Sequence, residues 1–527
     1  MPEQPALKLA DLPANTKKTV TIGGTHGEMK ILLVRTDDNQ VGTPTLFAFE
    51  AECPHAKAPL EKGVVCNGRL VCPWHAGTFA LETGALLEPP PLRDLKRYRV
   101  QLSGDDILVD PTPIPALHIP EEKAAPLAPD KHLVFVGEGA ATAAALCFLR
   151  DAGFAGRTVV IEPVSDEPID RTELTKKALN GQKPLDKLPL FHPPTNSSEP
   201  VPPQPERLHA RLIHLDHALR TLTLDNGAKL TYDALLLATG GRPKRLTIPG
   251  ADLPHVFTIR HSRDLAGMEP LLTPSAHVAI VGDSFIAFES ACALRERGLH
   301  VTVIARSKLP FVKKFGPAVA DGLMDLHRRH GVNLHTEAEA AAITPVAVRL
   351  KSGAEIPADV LITAIGVEPI IDYAPDLPHG EHGGFAVSSD LRLTPNIWTA
   401  GDIASVDGTR IEHWRLAEQH GRTAAEGMLA FVSGDALGTA TPFTGVPLFW
   451  TFHFGKRLNY AGHAETWDSL TLEGDPAELD FLAYYVKNGY VAAVLGCGYD
   501  TAIAALMEPL RQRLTLDAAR RITAAVA

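Results

Sequence analysis

The sequence predicts a multidomain chain: an N-terminal all-β module, two α/β domains of dinucleotide-binding topology, and a C-terminal α+β domain. Three observations predict it. Residues 1–112 alternate short β-like runs with Gly and Asp turns; strand–glycine turn–helix–strand units follow at 133–162 and 278–306; and past residue 441 strand-like runs precede an apolar helix. A chain of 527 residues is also too long for one core and suggests three or four domains.

Composition narrows the class. A hydrophobic fraction of 45% and a charged fraction of 21% are those of an ordinary soluble protein. A net charge of −11 repels nucleic-acid phosphates, and no basic patch interrupts it. Six cysteines are too few for a disulfide framework. No basic start followed by an apolar run marks a signal peptide, and no apolar run approaches the roughly 20 residues of a membrane span. A cytoplasmic protein with neither nucleic acid nor membrane as partner is expected.

The N-terminal module, residues 1–112, carries β-like runs at 29–35, 45–50, 69–71, 97–102 and 106–109. Near its middle lie Cys53-Pro54-His55 and, after sixteen residues, Cys72-Pro73-Trp74-His75. Each loop can deliver one sulfur and one nitrogen. This is the pattern of a Rieske [2Fe-2S] centre, in which one iron keeps two Cys and the other takes two His. Zinc is the rival, since Cys2His2 also suits a tetrahedral ion. Zinc-finger spacing, however, pairs Cys with Cys and His with His, whereas both pairs here are mixed. Ala58-Pro59-Leu60, Lys62-Gly63 and Gly77-Thr78-Phe79 are similar to the flanks in Rieske ferredoxins. Respiratory Rieske proteins add a Cys to each loop and join the two; Ala58 and Trp74 stand in those places here. The resemblance therefore implies the low end of the Rieske range of roughly −150 to +300 mV.

Prolines and few large apolar residues mark 113–130 as a linker. The first α/β domain, 131–254, opens with Leu133-Val134-Phe135-Val136 running into Gly137-Glu138-Gly139 and an Ala-rich helix. Glycines there let the backbone approach a pyrophosphate, and Glu162, at the end of the next strand, is spaced to bond a ribose. Residues 232–243, containing Ala238-Thr239-Gly240, look like the second segment of an FAD domain, and Gly401-Asp402 resembles its late Gly-Asp motif within a returning part at 375–440. Between them, 255–374 holds the second unit, where only Gly282 of three glycines survives and Ser284 and Ala287 replace the others. Its strand ends without the acid that favours NAD. Arg306 stands there instead, where an arginine is either a 2'-phosphate contact or a solvated surface residue, so NADPH is preferred to NADH by only a small margin.

As a whole the chain resembles the Rieske-fused flavoproteins related to apoptosis-inducing factor and the bacterial ferredoxin reductases. Residues 168–176, 309–311, 410–414 and 446–451 carry the likeness beyond the nucleotide motifs. It implies that Arg171 contacts FAD, that Lys176 pairs with Glu289 near the flavin, and that Phe285 and His413 guard the nicotinamide side. It places Trp450, from the C-terminal domain at 441–527, near the isoalloxazine. No Cys-x-x-Cys or Cys-x4-Cys pair exists, so disulfide exchange is not expected; Cys66, Cys147, Cys292 and Cys497 read as buried apolar residues. The expected chemistry is an FAD-dependent NAD(P)H oxidoreductase feeding the cluster and then a protein or small-molecule acceptor. Two other readings stand beside it: a slow redox-responsive signalling protein, and the reductase component of a Rieske oxygenase.

Overall fold

Alternating apolar positions along 17–37 and 44–50 fold the N-terminus into a six-stranded antiparallel sheet, one face of which buries Ile31, Leu33, Ala48 and Ile107. The computed structural model describes residues 3–24, 27–37, 44–114, 127–164, 167–191, 201–435 and 441–526. Most of the expected linker lies outside the described residues. A second sheet of four short strands, Val64–Cys66, Arg69–Val71, Thr78–Ala80 and Leu86–Glu88, sits beside the first. The second Cys-His loop, 72–77, is the turn between two of these strands. The first, 51–59, leaves Pro44–Glu50 and is fastened by Cys53 N–H donating to the Ala58 carbonyl at 2.8 Å.

The continuous apolar runs at 133–136, 159–161 and 235–237 can be buried on both faces only in a parallel sheet with cover on each side. They form one, in the order Glu206–Leu208, Arg157–Ile161, His132–Val136, Ala234–Leu237, Ile397–Thr399, with Arg392–Thr394 antiparallel at the edge. Helices Ala140–Asp151 and Trp414–Val432 pack on one face. Between Ala234–Leu237 and Ile397–Thr399 the chain makes a second parallel sheet, ordered Val256–Phe257, Val360–Thr363, His277–Val281, His300–Ile304, Asn333–His335. Helix Phe285–Glu296 lies against it. The chain ends in a five-stranded antiparallel sheet built from Leu448–His453 to Tyr490–Cys497, followed by helices Asp500–Leu506 and Leu516–Ala524.

The N-terminal module is fastened to the rest. Val71 and Ala76 share one apolar core with Val446, Leu448 and Ile503 of the C-terminal domain. Arg69 pairs with Glu508 at 3.0 Å, and Thr501 donates to the Lys62 carbonyl at 3.0 Å. Arg415, 1% exposed, is the centre of this junction. It donates to the carbonyls of Pro89 at 2.8 Å, Ala76 at 3.1 Å and Val446 at 3.0 Å. One guanidinium thereby joins the N-terminal module, the long helix and the C-terminal domain.

Candidate functional site

Cys53 and Cys72 are buried and their thiols meet. On the other side of the same two loops, His55 Nδ1 and His75 Nδ1 face each other at 3.1 Å. Two nitrogens each about 2.1 Å from one tetrahedral metal lie roughly 3.4 Å apart, so the imidazole pair matches a shared ion. Burial holds both imidazoles below their ordinary pKa, with the His55 charge adding to the effect on His75. They are therefore neutral, the ligating form. Among the described residues no three His, Cys, Asp or Glu side chains converge on a single ion. A sulfur pair and a separate nitrogen pair suit two metals rather than one zinc.

The His75 ring does not face open solvent. It lies 4.1 Å, centroid to centroid, from the indole of Trp450, which also stands 6.3 Å from His55. Trp450 belongs to strand Leu448–His453, where successive side chains point to opposite faces. Its neighbour Phe449 accordingly packs on Phe285 at 5.0 Å and His413 at 4.6 Å. The strand thus separates the two Cys-His loops from an aromatic wall. Phe311, stacked 4.9 Å from Phe285, completes that wall in a left-handed conformation, φ 67°. A bulky residue there costs about 1–3 kcal/mol and marks a constrained site. Burial, then Lys314 and His463, push His413 down to about 3, so its ring is neutral.

Lys176 and Glu289 meet across two domains, Nζ to Oε2 at 3.0 Å. Glu289 is held on every side: Thr175 Oγ1 donates to Oε2 at 2.5 Å, and Thr451 Oγ1 donates to Oε1 at 2.8 Å. Behind Thr451, His453 Nε2 lies at 2.9 Å, and His453 Nδ1 lies 3.1 Å from His327 Nε2. Since Thr451 spends its proton on the carboxylate, His453 must donate from Nε2 and His327 from Nε2 in turn. All donors then point toward Glu289. The pair, His55, His75 and Trp450 line one cavity of about 1040 Å³.

The first dinucleotide turn is tight. Gly137 has φ 97°, and a Cβ there would lie 2.4 Å from the Ala238 carbonyl. Glu162 accepts from the Glu138 N–H at 3.0 Å through Oε2. The Arg171 guanidinium comes within 3.8 Å of where a Cβ on Gly139 would be, and burial together with Arg260 lowers it to about 10. Arg260 also reaches Asp402 at 3.7 Å and lies over Gly240, whose φ is 67°. Thr239 donates to the Ile370 carbonyl at 2.6 Å. In the second unit Gly282, φ 139°, packs against the Ala364 carbonyl, Ser284 donates to that carbonyl at 2.9 Å, and Arg306 is exposed at the end of its strand. Arg260, Phe449, Arg415 and the His453–His327 pair escape sequence reasoning. Each is defined by tertiary partners, and no local spacing announces it.

Comparison with known proteins agrees with this architecture. The model of the pyridine nucleotide-disulphide oxidoreductase family matches residues 131–421, a Rieske [2Fe-2S] domain matches 3–99, and a reductase C-terminal domain matches 448–527. The chain belongs to the pyridine nucleotide-disulphide oxidoreductase family, with a Rieske domain ahead of it. The reductase is 30% identical to apoptosis-inducing factor 3 of Homo sapiens over 505 residues, 91% of this chain and 80% of that protein. It is also 30% identical to the 5,5'-dehydrodivanillate O-demethylase ferredoxin reductase subunit of Sphingobium sp., over 68% of this chain and 88% of the other. A crystal structure of a ferredoxin reductase from Rhodopseudomonas palustris superposes with a TM-score of 0.65 at 26% identity, covering 75% of this chain and all of that one (100%).

This is an FAD-dependent NAD(P)H oxidoreductase with a [2Fe-2S] cluster. The residues fit those groups. Arg171 stands beside Gly139 at the N-terminus of helix Ala140–Asp151, with the Arg260 charge close enough to lower its pKa, and this positive corner suits the anionic pyrophosphate of a dinucleotide. The paired sulfurs and paired nitrogens fit the cluster. Despite the family's name, no two cysteines form a disulfide: burial pushes Cys147 and Cys292 up to about 12 and Cys497 up to about 11, leaving inert thiols. No described helix is long and apolar enough to cross a membrane.

Proposed function

We propose that the reductase takes electrons from NADPH or NADH and releases them through its cluster to an acceptor outside the chain, with Trp450 and His75 as the contact between the two centres. FAD, when bound, accepts two electrons from a nicotinamide and gives them up singly, which suits a one-electron iron-sulfur acceptor. Arg171 and Arg260 neutralise the pyrophosphate, and Asp402 meets the ribityl chain. Lys176 presents its ammonium to the redox cavity, fixed there by Glu289, and so balances negative charge that develops on the ring beside it. Phe285, His413 and Phe449 wall the nicotinamide side against water, and Arg306 takes a 2'-phosphate.

The observation that carries this reading is the 4.1 Å approach of Trp450 to His75, inside the cavity that Lys176 and Glu289 also line. Rapid mixing of the holoenzyme with NADPH or NADH tests it. The flavin band bleaches first and the cluster signal second; a cluster that never reduces overturns the route. A ferredoxin-type or small acceptor, as the names of the oxygenase-system relatives suggest for those proteins, then receives the electrons, and unpaired cysteines support a reducing cytoplasm. The second dinucleotide turn, where Ser284 and Ala287 stand in place of glycines and Gly282 is pressed against the Ala364 carbonyl, favours a second reading, slow turnover with a signalling role. Long-lived charge-transfer absorption with little acceptor reduction would select it.

A further inference from the structure

Glu418 has no part in the electron route, yet it lines the same cavity. It sits on the second turn of helix Trp414–Val432, is 1% exposed, and shares the cavity wall with His55, Asp170 and Trp450. The Trp414 indole on its own helix supports one side of the carboxyl, but Oε2 has no hydrogen-bond partner. Buried polar groups in native proteins are almost always paired, so a bare carboxyl oxygen at a cavity wall marks where a ligand atom belongs.

The groups that face Glu418 define what it can offer. Asp170 approaches from the turn before Arg171, and the Cys147 thiol from helix Ala140–Asp151. Arg415, on its own helix, is committed to three carbonyls elsewhere. Burial, followed by the Asp170 charge, holds the carboxyl well above the usual range. A neutral carboxylic acid presents one O–H donor and seeks an oxygen that carries no proton.

We propose that Glu418 donates a hydrogen bond to a ring carbonyl of a planar redox-active ring held in this cavity. Trp74, Trp450 and Leu188 supply apolar walls, while Lys176 and Arg457 supply positive charge for the electron-rich reduced ring. The cavity volume of about 1040 Å³ is that of a small-molecule site. Two rings share this chemistry: the isoalloxazine of FAD, and a quinone that takes two electrons from the nicotinamide and two protons from water to leave as hydroquinone. The inference rests on the redox assignment of the cavity made above.

Glu418→Gln keeps a donor and Glu418→Leu removes it. In the FAD-loaded protein, the oxidised flavin spectrum and midpoint potential are followed against pH. Steady-state reduction of duroquinone by NADPH or NADH gives KM in the same samples. We expect Glu418→Leu to shift either the flavin's redox equilibrium or the quinone KM by about five- to tenfold, with Glu418→Gln close to wild type. A moved flavin identifies the isoalloxazine, and a moved KM with an unchanged flavin identifies a quinone. If neither quantity moves, or Gln and Leu fail alike, the proposal is wrong. Glu418→Met serves if the Leu variant does not fold. Cluster bleaching is recorded in parallel, so a dead electron route is told apart from an idle Glu418.

Discussion

The imidazole of His75 and the indole of Trp450 pack at 4.1 Å, joining the second Cys-His loop of the N-terminal module to a strand 375 positions later in the sequence, at residue 450. Aromatic contact at this range fixes both rings. Trp450→Ala is expected to leave flavin reduction by nicotinamide intact and to slow cluster reduction by at least roughly tenfold, the scale on which a lost positioning contact costs. Trp450→Phe retains most of the rate. Double-mixing absorbance separates the two steps, and equal slowing of both would contradict the assignment.

Cys72→Ser removes one of the paired thiols. Iron content and the EPR signal of the cluster should disappear while FAD stays bound and is still reduced by NADPH or NADH. Loss of flavin along with iron would mean that the two sites are not separable.

Lys176→Met leaves Glu289 as a buried carboxylate without its counter-ion, held only by Thr175, Thr451 and the Phe452 N–H. Flavin reduction is expected to fall by roughly 10- to 100-fold. His453→Leu, which cuts the donor chain behind Thr451, should have the same sign and a smaller size. Single-turnover rates measure both.

Gly137→Ala places a methyl group 2.4 Å from the Ala238 carbonyl at φ 97°. The two strand ends must then separate, with a stability cost of more than about 1 kcal/mol. The ratio of flavin to protein after purification should drop sharply.

Glu88 gives the junction its pH dependence. Burial works against its charge, but Arg415 and Arg511 win and hold it below the ordinary carboxylate value. A depressed folded pKa contributes stability above the unfolded value of 4.5 and loses it as pH falls below that point. Glu88→Gln should therefore lower the thermal midpoint at neutral pH, and the difference from wild type should vanish toward acid. Arg415→Met, which strands three carbonyls and this carboxylate, is expected to cost about 3–5 kcal/mol by urea unfolding at neutral pH.

Spacing made the paired Cys-His loops and the glycine turns legible, because Cys-x-His and Gly-x-Gly patterns are local consequences of local geometry. The parallel sheets were legible as unbroken apolar runs such as 133–136 and 235–237. Arg415 and Arg260 were not. A lone arginine reads as surface until the fold brings Pro89 and Val446, or Asp402, to it. Glu418 was hidden for the same reason, since an acid in an amphipathic helix reads as solvated. The opposite facing of Phe449 and Trp450 follows from strand period, but which face meets His75 is settled only by tertiary packing.

Arg415, itself on a helix of the electron donor, holds the carrier module through its bonds to Pro89 and Ala76 and reaches the C-terminal domain through Val446. Separate donor and carrier proteins must collide, so their exchange slows on dilution and with added salt. Here the partners share one polypeptide and a buried clamp, which makes the exchange a unimolecular event. The rate of that step per molecule is then the same in a dilute cuvette as in a crowded cell, and translation itself fixes one carrier to each donor.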